Sequence, residues 1–168
     1  MILPPSDDVT GAGTIPFTFR FYATSTTTFF ASSNGVLGFG LPNTSYTNSC
    51  LPGTLFNAIL PFWDDLYVEV GPVCTATTGS APNRRQVISW TAVRPFLDTG
   101  NMNFMVSLFE TSNIVEIAYG TMTSGVAGRA QGNSATVGVV NATGSAFTQS
   151  SCNTPSVIAF SSIRFTPM

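Results

Sequence analysis

Asp64 and Asp65 stand side by side in Pro61-Phe62-Trp63-Asp64-Asp65-Leu66, in a chain of 168 residues of which only 8% are charged. Two neighbouring carboxylates next to an indole can anchor a hard cation, act as catalytic acids, or close a turn on their own backbone. Calcium takes six to eight oxygens, so Asp64 and Asp65 would need Glu69, Asn57 or a backbone carbonyl to join them. No D-x-D-x-D run is present to supply a ready-made loop. Glycoside hydrolysis needs two carboxyl groups facing each other about 5 to 10 Å apart across a sugar. Successive strand residues point to opposite faces, which argues against Asp64 and Asp65 as such a pair. In the structural alternative, Asp64 caps backbone N–H groups after Trp63 while Asp65 faces solvent or an arginine. Calcium at Asp64 and Asp65 is the one functional expectation this block supports.

The chain has no histidine or lysine to supply a neutral base; its six basic residues are all arginine. Ser-His-Asp, Cys-His and Ser-Lys sites all need a neutral base, so each is excluded, as are histidine-ligated zinc and haem. Asp98-Thr99-Gly100, after Phe96-Leu97, has the form of an aspartic-protease turn. Such sites pair two aspartates, so a single copy would have to dimerise; Asp and Gly are also common hairpin residues. Glu110 and Glu116 flank a short turn, and one of Arg84 and Arg85 is expected to pair with an acid. The arginines are scattered, which leaves no basic footprint for nucleic acid. Two sequons, at Asn43 and Asn141, are no more than a Ser/Thr-rich composition produces by chance. The chain is expected not to be an enzyme.

The elements around these residues read as strands throughout. Ile15, Phe17, Phe19 and Phe21 alternate with Pro16, Thr18, Arg20 and Tyr22, giving one apolar face. A strand at residues 28–32 meets Ser33-Asn34-Gly35, a hairpin turn tolerant of positive φ, before a strand at 36–39. Residues 41–57 are expected to be a long irregular connection. Short strands are expected at 58–60 and 66–70 on either side of the Trp-Asp-Asp turn, with further pieces near 73–76, 86–93, 104–109, 114–119, 135–140 and 157–165. Nine or ten short strands with turn signals and no βα alternation predict an all-β antiparallel sandwich or jelly roll. One such domain is expected over 14–168, preceded by a loose segment at 1–13. No apolar run reaches the roughly 18 residues of a membrane span. No leader peptide is read at the N-terminus, which leaves two readings open, a piece of a longer secreted precursor or a cytosolic protein.

In order, Pro16-Phe17-Thr18-Phe19-Arg20-Phe21-Tyr22, Ser33-Asn34-Gly35-Val36-Leu37-Gly38-Phe39, Ile59 to Leu66, Ile88-Ser89-Trp90, Phe104 to Glu110 and Ser134-Ala135-Thr136-Val137-Gly138 form one series. Over residues 14–165 this series resembles a nidogen-like β-sandwich module found in large secreted or surface-anchored bacterial proteins. The resemblance implies an extracellular, non-catalytic domain used in adhesion or surface architecture, with other protein subunits or surface glycans as partners. It implies no nucleic-acid partner and no membrane insertion.

Three cysteines mean one pair plus a free thiol, or an intermolecular bond. Cys50 and Cys152 lie in Asn/Ser/Pro-rich loops and are the favoured pair; Cys74 reads as a strand residue, and modules of the resembled kind often carry a small buried apolar side chain there. Trp63, Trp90 and the alternating phenylalanines read as core. Phe29-Phe30 breaks the alternation, so one of the two is expected outward as a contact patch. Two rival functions remain open. One is a self-assembling subunit of an extracellular filament or coat, in which residues 1–13 add as a strand to a neighbouring copy and Cys74 crosslinks subunits. The other is a calcium-dependent carbohydrate-binding module.

Overall fold

The structure, a computed structural model, describes residues 1–167. Twelve strands form it: β1 Thr10–Phe21, β2 Thr24–Ser32, β3 Leu37–Gly38, β4 Ala58–Trp63, β5 Leu66–Val68, β6 Val73–Thr78, β7 Arg85–Pro95, β8 Gly100–Phe109, β9 Val115–Ser124, β10 Thr136–Val140, β11 Phe147–Cys152 and β12 Ser162–Phe165. All described pairings are antiparallel. One sheet runs β1-β2-β3-β4-β10-β11, and the other runs β12-β9-β8-β7-β5, with β6 also on β7. The two face each other as a sandwich, as the alternation predicts. Strand β11 escapes prediction because Thr148, Gln149 and Ser150 are exposed and carry no apolar alternation. The expected strand at 157–165 shrinks to its last four residues.

The inner faces of the sheets build the main core. Phe19, Phe29, Leu37, Ile59 and Phe62 from the first sheet meet Trp90, Phe104, Val106 and Ile117 from the second. Phe104 stacks between Trp90, at 5.2 Å, and Phe62, at 5.9 Å. Two polar side chains cross between the sheets: the Trp90 indole N–H donates to the Ser32 carbonyl at 2.7 Å, and the Tyr119 hydroxyl donates to the Pro61 carbonyl at 2.8 Å. A buried indole or phenol needs such a partner, so both bonds also fix how the layers sit.

Strand β4 is buried at all six positions. Ile59 and Phe62 face the main core, while Ala58, Leu60 and Trp63 face a second apolar cluster with Val36, Leu51, Leu55 and Val140. The 41–57 connection therefore covers the outside of the first sheet. The Trp63 indole N–H donates to its Ser45 carbonyl at 2.8 Å. A disulfide between Cys50 and Cys152, with the two Cα atoms 5.4 Å apart, fastens the same cover to β11.

The N-terminal segment expected to be loose is instead part of the domain. Leu3 bridges to Val73 and Ser6 to Val68, so the segment lies along the β5/β6 edge before β1 joins the other sheet. Leu3 is 4% exposed and belongs to the main core. Its backbone is too well paired, and Leu3 with the partly buried Ile2 too well packed on the core, for a free arm. A Cβ on Gly11 would collide with the Ile2 carbonyl, so close packing of this segment on β1 depends on that glycine.

Candidate functional site

The Trp-Asp-Asp turn joins β4 to β5, and Asp64 and Asp65, in the bend between the two strands, reach different surroundings. Asp64 is 5% exposed. Its carboxylate accepts from the Ser134 hydroxyl at 2.7 Å and from the Asp65 N–H at 2.9 Å. Burial pushes its pKa up, and the Ser134 bond partly opposes that. Asp65 points the other way, towards Asp7 and Asp8 on the N-terminal segment. One carboxylate oxygen from each of these three lies within 4.8 Å of the others. Desolvation first, then the charges of Asp8, Asp7 and Asp64, raise the pKa of Asp65. Asp7 is raised by burial and by Asp8, and its Oδ1 is buried without a hydrogen-bond partner.

This grouping differs from the expected calcium site. Asp64 is occupied by Ser134 and its own turn, so it does not join Asp65 as a ligand. Glu69 is paired with Arg94; the Asn57 amide N–H donates to the Phe39 carbonyl, while its Oδ1 is buried without a hydrogen-bond partner. The oxygens beside Asp65 come from Asp7 and Asp8, distant in sequence. They arrive because Ser6 is fixed to Val68 on one sheet and Thr10 to Ser32 on the other. Asp7 and Asp8 span the gap between those anchors, beside the turn.

The buried amide of Asn34, 0% exposed, holds the arrangement together. It donates to the Asp8 carboxylate at 2.8 Å and to the Thr44 carbonyl at 3.0 Å, and accepts from the Leu66 N–H at 2.9 Å. Ser33 adds a backbone bond to the Val9 carbonyl, and its hydroxyl accepts from the Val9 N–H. Gly35, at φ 67°, lies so close to the Phe62 carbonyl that a Cβ would collide with it. Sequence reasoning reads Ser33-Asn34-Gly35 as an ordinary hairpin turn. Its adjacency to a second turn carrying unpaired acids has no local signature.

Charge pairing sets this corner apart. Of eight acids in the chain, Glu69, Asp98, Glu110 and Glu116 each have an arginine within 4.0 Å. The remaining four are Asp7, Asp8, Asp64 and Asp65. Arg84 holds Glu110 through Nε at 2.8 Å and Nη2 at 2.6 Å, with its backbone N–H added at 3.0 Å. The guanidinium bonds lower the Glu110 pKa to about 2. Asp98 accepts from the N–H groups of Thr99 and Val126 and tethers the β7–β8 hairpin, which is the turn-forming role of Asp-Thr-Gly.

Cys74 is a free thiol, half-buried rather than fully buried, because strand alternation sends Val73 into the core and turns its neighbour outward. The contact-patch expectation needs correcting for Phe29, which is 0% exposed in the main core. Only Phe30 turns the other way, and it is half-buried.

The fold and its contents thus define a disulfide-clamped, two-sheet antiparallel sandwich with an acid-rich turn. A family model described as NIDO related matches residues 3–167. The chain belongs to that NIDO-related family, a nidogen-like module, and the match includes the N-terminal segment lying on β5 and β6. No curated protein and no solved structure matches the chain.

Proposed function

We propose that this domain is a non-catalytic extracellular module serving adhesion or surface architecture. The observation that carries the reading is the Cys50–Cys152 disulfide across 102 residues of sequence, in a domain of the NIDO-related family. Such bonds persist in oxidising compartments and are rare where thiols are kept reduced. The disposition of the acids agrees with a structural role, since Asp64, Asp98 and Glu110 are each engaged by hydrogen bonds within the fold. Labelling intact cells of the native host with antibody and with an impermeant protease tests the proposal. Surface labelling together with one free thiol per chain supports it. A chain found only inside the cell, with three reducible thiols, overturns it.

The assembly reading loses its donor strand, because residues 2–6 would have to leave the β5/β6 edge bare in order to pair with a neighbour. Light scattering at high concentration tests it, and a monodisperse monomer would exclude it.

A second reading is favoured by one observation, the meeting of Asp7, Asp8 and Asp65. Three carboxylates without an arginine partner are what a hard cation takes as part of a six- to eight-oxygen shell. On this reading calcium belongs at Asp65 with Asp7 and Asp8, and Asp64 supports the turn from behind. Calcium raising the melting temperature, with reversal by EDTA, supports this. An unmoved melting temperature removes it.

A further inference from the structure

One end of the sandwich opens into a cleft of about 460 Å³, within the range of small-ligand sites. It is built where five parts of the chain converge: the β1–β2 hairpin, the β8–β9 turn with the start of β9, β10, β11, and β12 with the residues that follow it. Its floor is apolar, with Phe21, Val115 and Val139 each at most 4% exposed. Its rim carries Arg20, Tyr22, Ser112, Thr148 and Thr166.

Arg20 is the unusual member. Of six arginines, Arg84, Arg94, Arg129 and Arg164 have carboxylate partners among the described residues. Arg85 has none, but its guanidinium lies 4.8 Å from the centre of the Phe109 ring. Among the described residues Arg20 has neither an acid nor a ring; its Nε donates to the Tyr22 carbonyl at 3.1 Å, and its two terminal amino groups have no partner there. Its backbone is fixed as well, since the Arg20 N–H donates to the Asn113 side chain at 2.8 Å. Arg164, also on the rim, is already tied to Glu116. The cleft therefore presents one guanidinium with no acid partner among the described residues, over an apolar floor and ringed by hydroxyl groups.

We propose that this cleft binds an acidic sugar, with Arg20 taking the carboxylate of a uronic-acid residue. A planar guanidinium matches a carboxylate with two parallel N–H bonds, which a neutral sugar does not offer. The hydroxyls of Ser112, Thr148 and Thr166 donate to and accept from ring hydroxyls, as a polyol requires. The half-buried rings of Tyr22 and Phe165 receive the C–H face of the sugar. A peptide terminus shares the carboxylate but brings no set of hydroxyls for the rim. The inference deepens the adhesion reading by naming a ligand class. It concerns binding in solution, so its outcome is independent of where the chain resides.

The test is an NMR titration of the whole chain with trigalacturonate, with the neutral galactose trimer, acetate and a short peptide with a free C-terminus in parallel. Saturable shifts confined to cleft resonances with trigalacturonate, and at least about tenfold weaker binding of the other three, are expected. Arg20→Gln should weaken binding by about ten- to a hundredfold at an unchanged melting temperature, and Arg20→Lys should restore part of it. Should Arg20→Gln fold poorly, Thr148→Val provides the second variant, with a several-fold loss expected. Absence of saturable shifts, equal binding of the galactose trimer, or equal binding of acetate or the peptide would each overturn the proposal.

Discussion

The side-chain oxygen of Asn34 accepts the backbone N–H of Leu66 at 2.9 Å, across 32 residues of sequence and at two positions that are both 0% exposed. One buried amide thereby couples the β2–β3 turn to the acid turn and, through Asp8, to the N-terminal segment. Replacing Asn34 with Ala leaves the Leu66 N–H buried and unpaired, which costs about 1 to 3 kcal/mol for that group alone. The measurement is the urea midpoint of Asn34→Ala, expected well below that of the parent. Hydrogen exchange should quicken at Leu66 before it quickens in β8. Unchanged protection at Leu66 would show that another group takes over the bond.

The disulfide closes a loop of 102 residues. Chain-entropy reasoning gives such a crosslink about 4 to 5 kcal/mol. The double substitution Cys50→Ala, Cys152→Ala should lower the unfolding free energy by that order. It should expose the outer cluster around Trp63 first, because the 41–57 cover is what the bond fastens. Trp63 fluorescence, read in a Trp90→Phe background, checks the order of events. Loss of both cores together would contradict it.

Asp65 tests the charge crowding. Its folded pKa is raised, so its ionised form disfavours the fold above that pKa, and the penalty is relieved as pH falls through it towards the ordinary carboxylate range. Asp65→Asn should therefore raise the melting temperature at neutral pH and low salt by about 1 to 2 °C. The gain should fade as pH falls and as salt is added. The same substitution should abolish any stabilisation by calcium, because mass action needs the intact ligand set. A variant still stabilised by calcium to the parent's extent would move the metal elsewhere.

Glu110 has the opposite sign. Its folded pKa is lowered to about 2 by Arg84, so the ion pair supports the fold above the unfolded carboxylate value and is lost as pH falls through about 2. Glu110→Gln should be less stable than the parent at pH 7. The two should converge as pH is lowered from about 4.5 to about 2. Denaturant midpoints at several pH values check this, and a constant difference would mean that packing rather than charge is involved.

How much of this was written in the chain can be judged residue by residue. Alternation in Ile15 to Phe21 and in Gln86 to Val93 states which face is buried, because a pleated strand has period two whatever its neighbours are. Absence of His and Lys removes whole reaction classes on composition alone. Alternation predicts that Asp64 and Asp65 part, and they do, but in the bend between β4 and β5, where the turn rather than the pleat directs them. Burial of both faces of β4 was not legible, since a continuous apolar run says nothing about what lies on its outer side. Strand β11 was hidden because an exposed edge strand needs no apolar face, only a neighbour to pair with.

The sequence by itself determined the class of fold, the oxidisable cysteines and the acids of the Trp-Asp-Asp turn. Tertiary structure alone decided what surrounds them. Asp7 and Asp8 reach Asp65, and Arg20 is left without an acid among the described residues, because backbone pairing across the two sheets sets those distances. Such pairing joins residues far apart in the chain, so no local pattern records it.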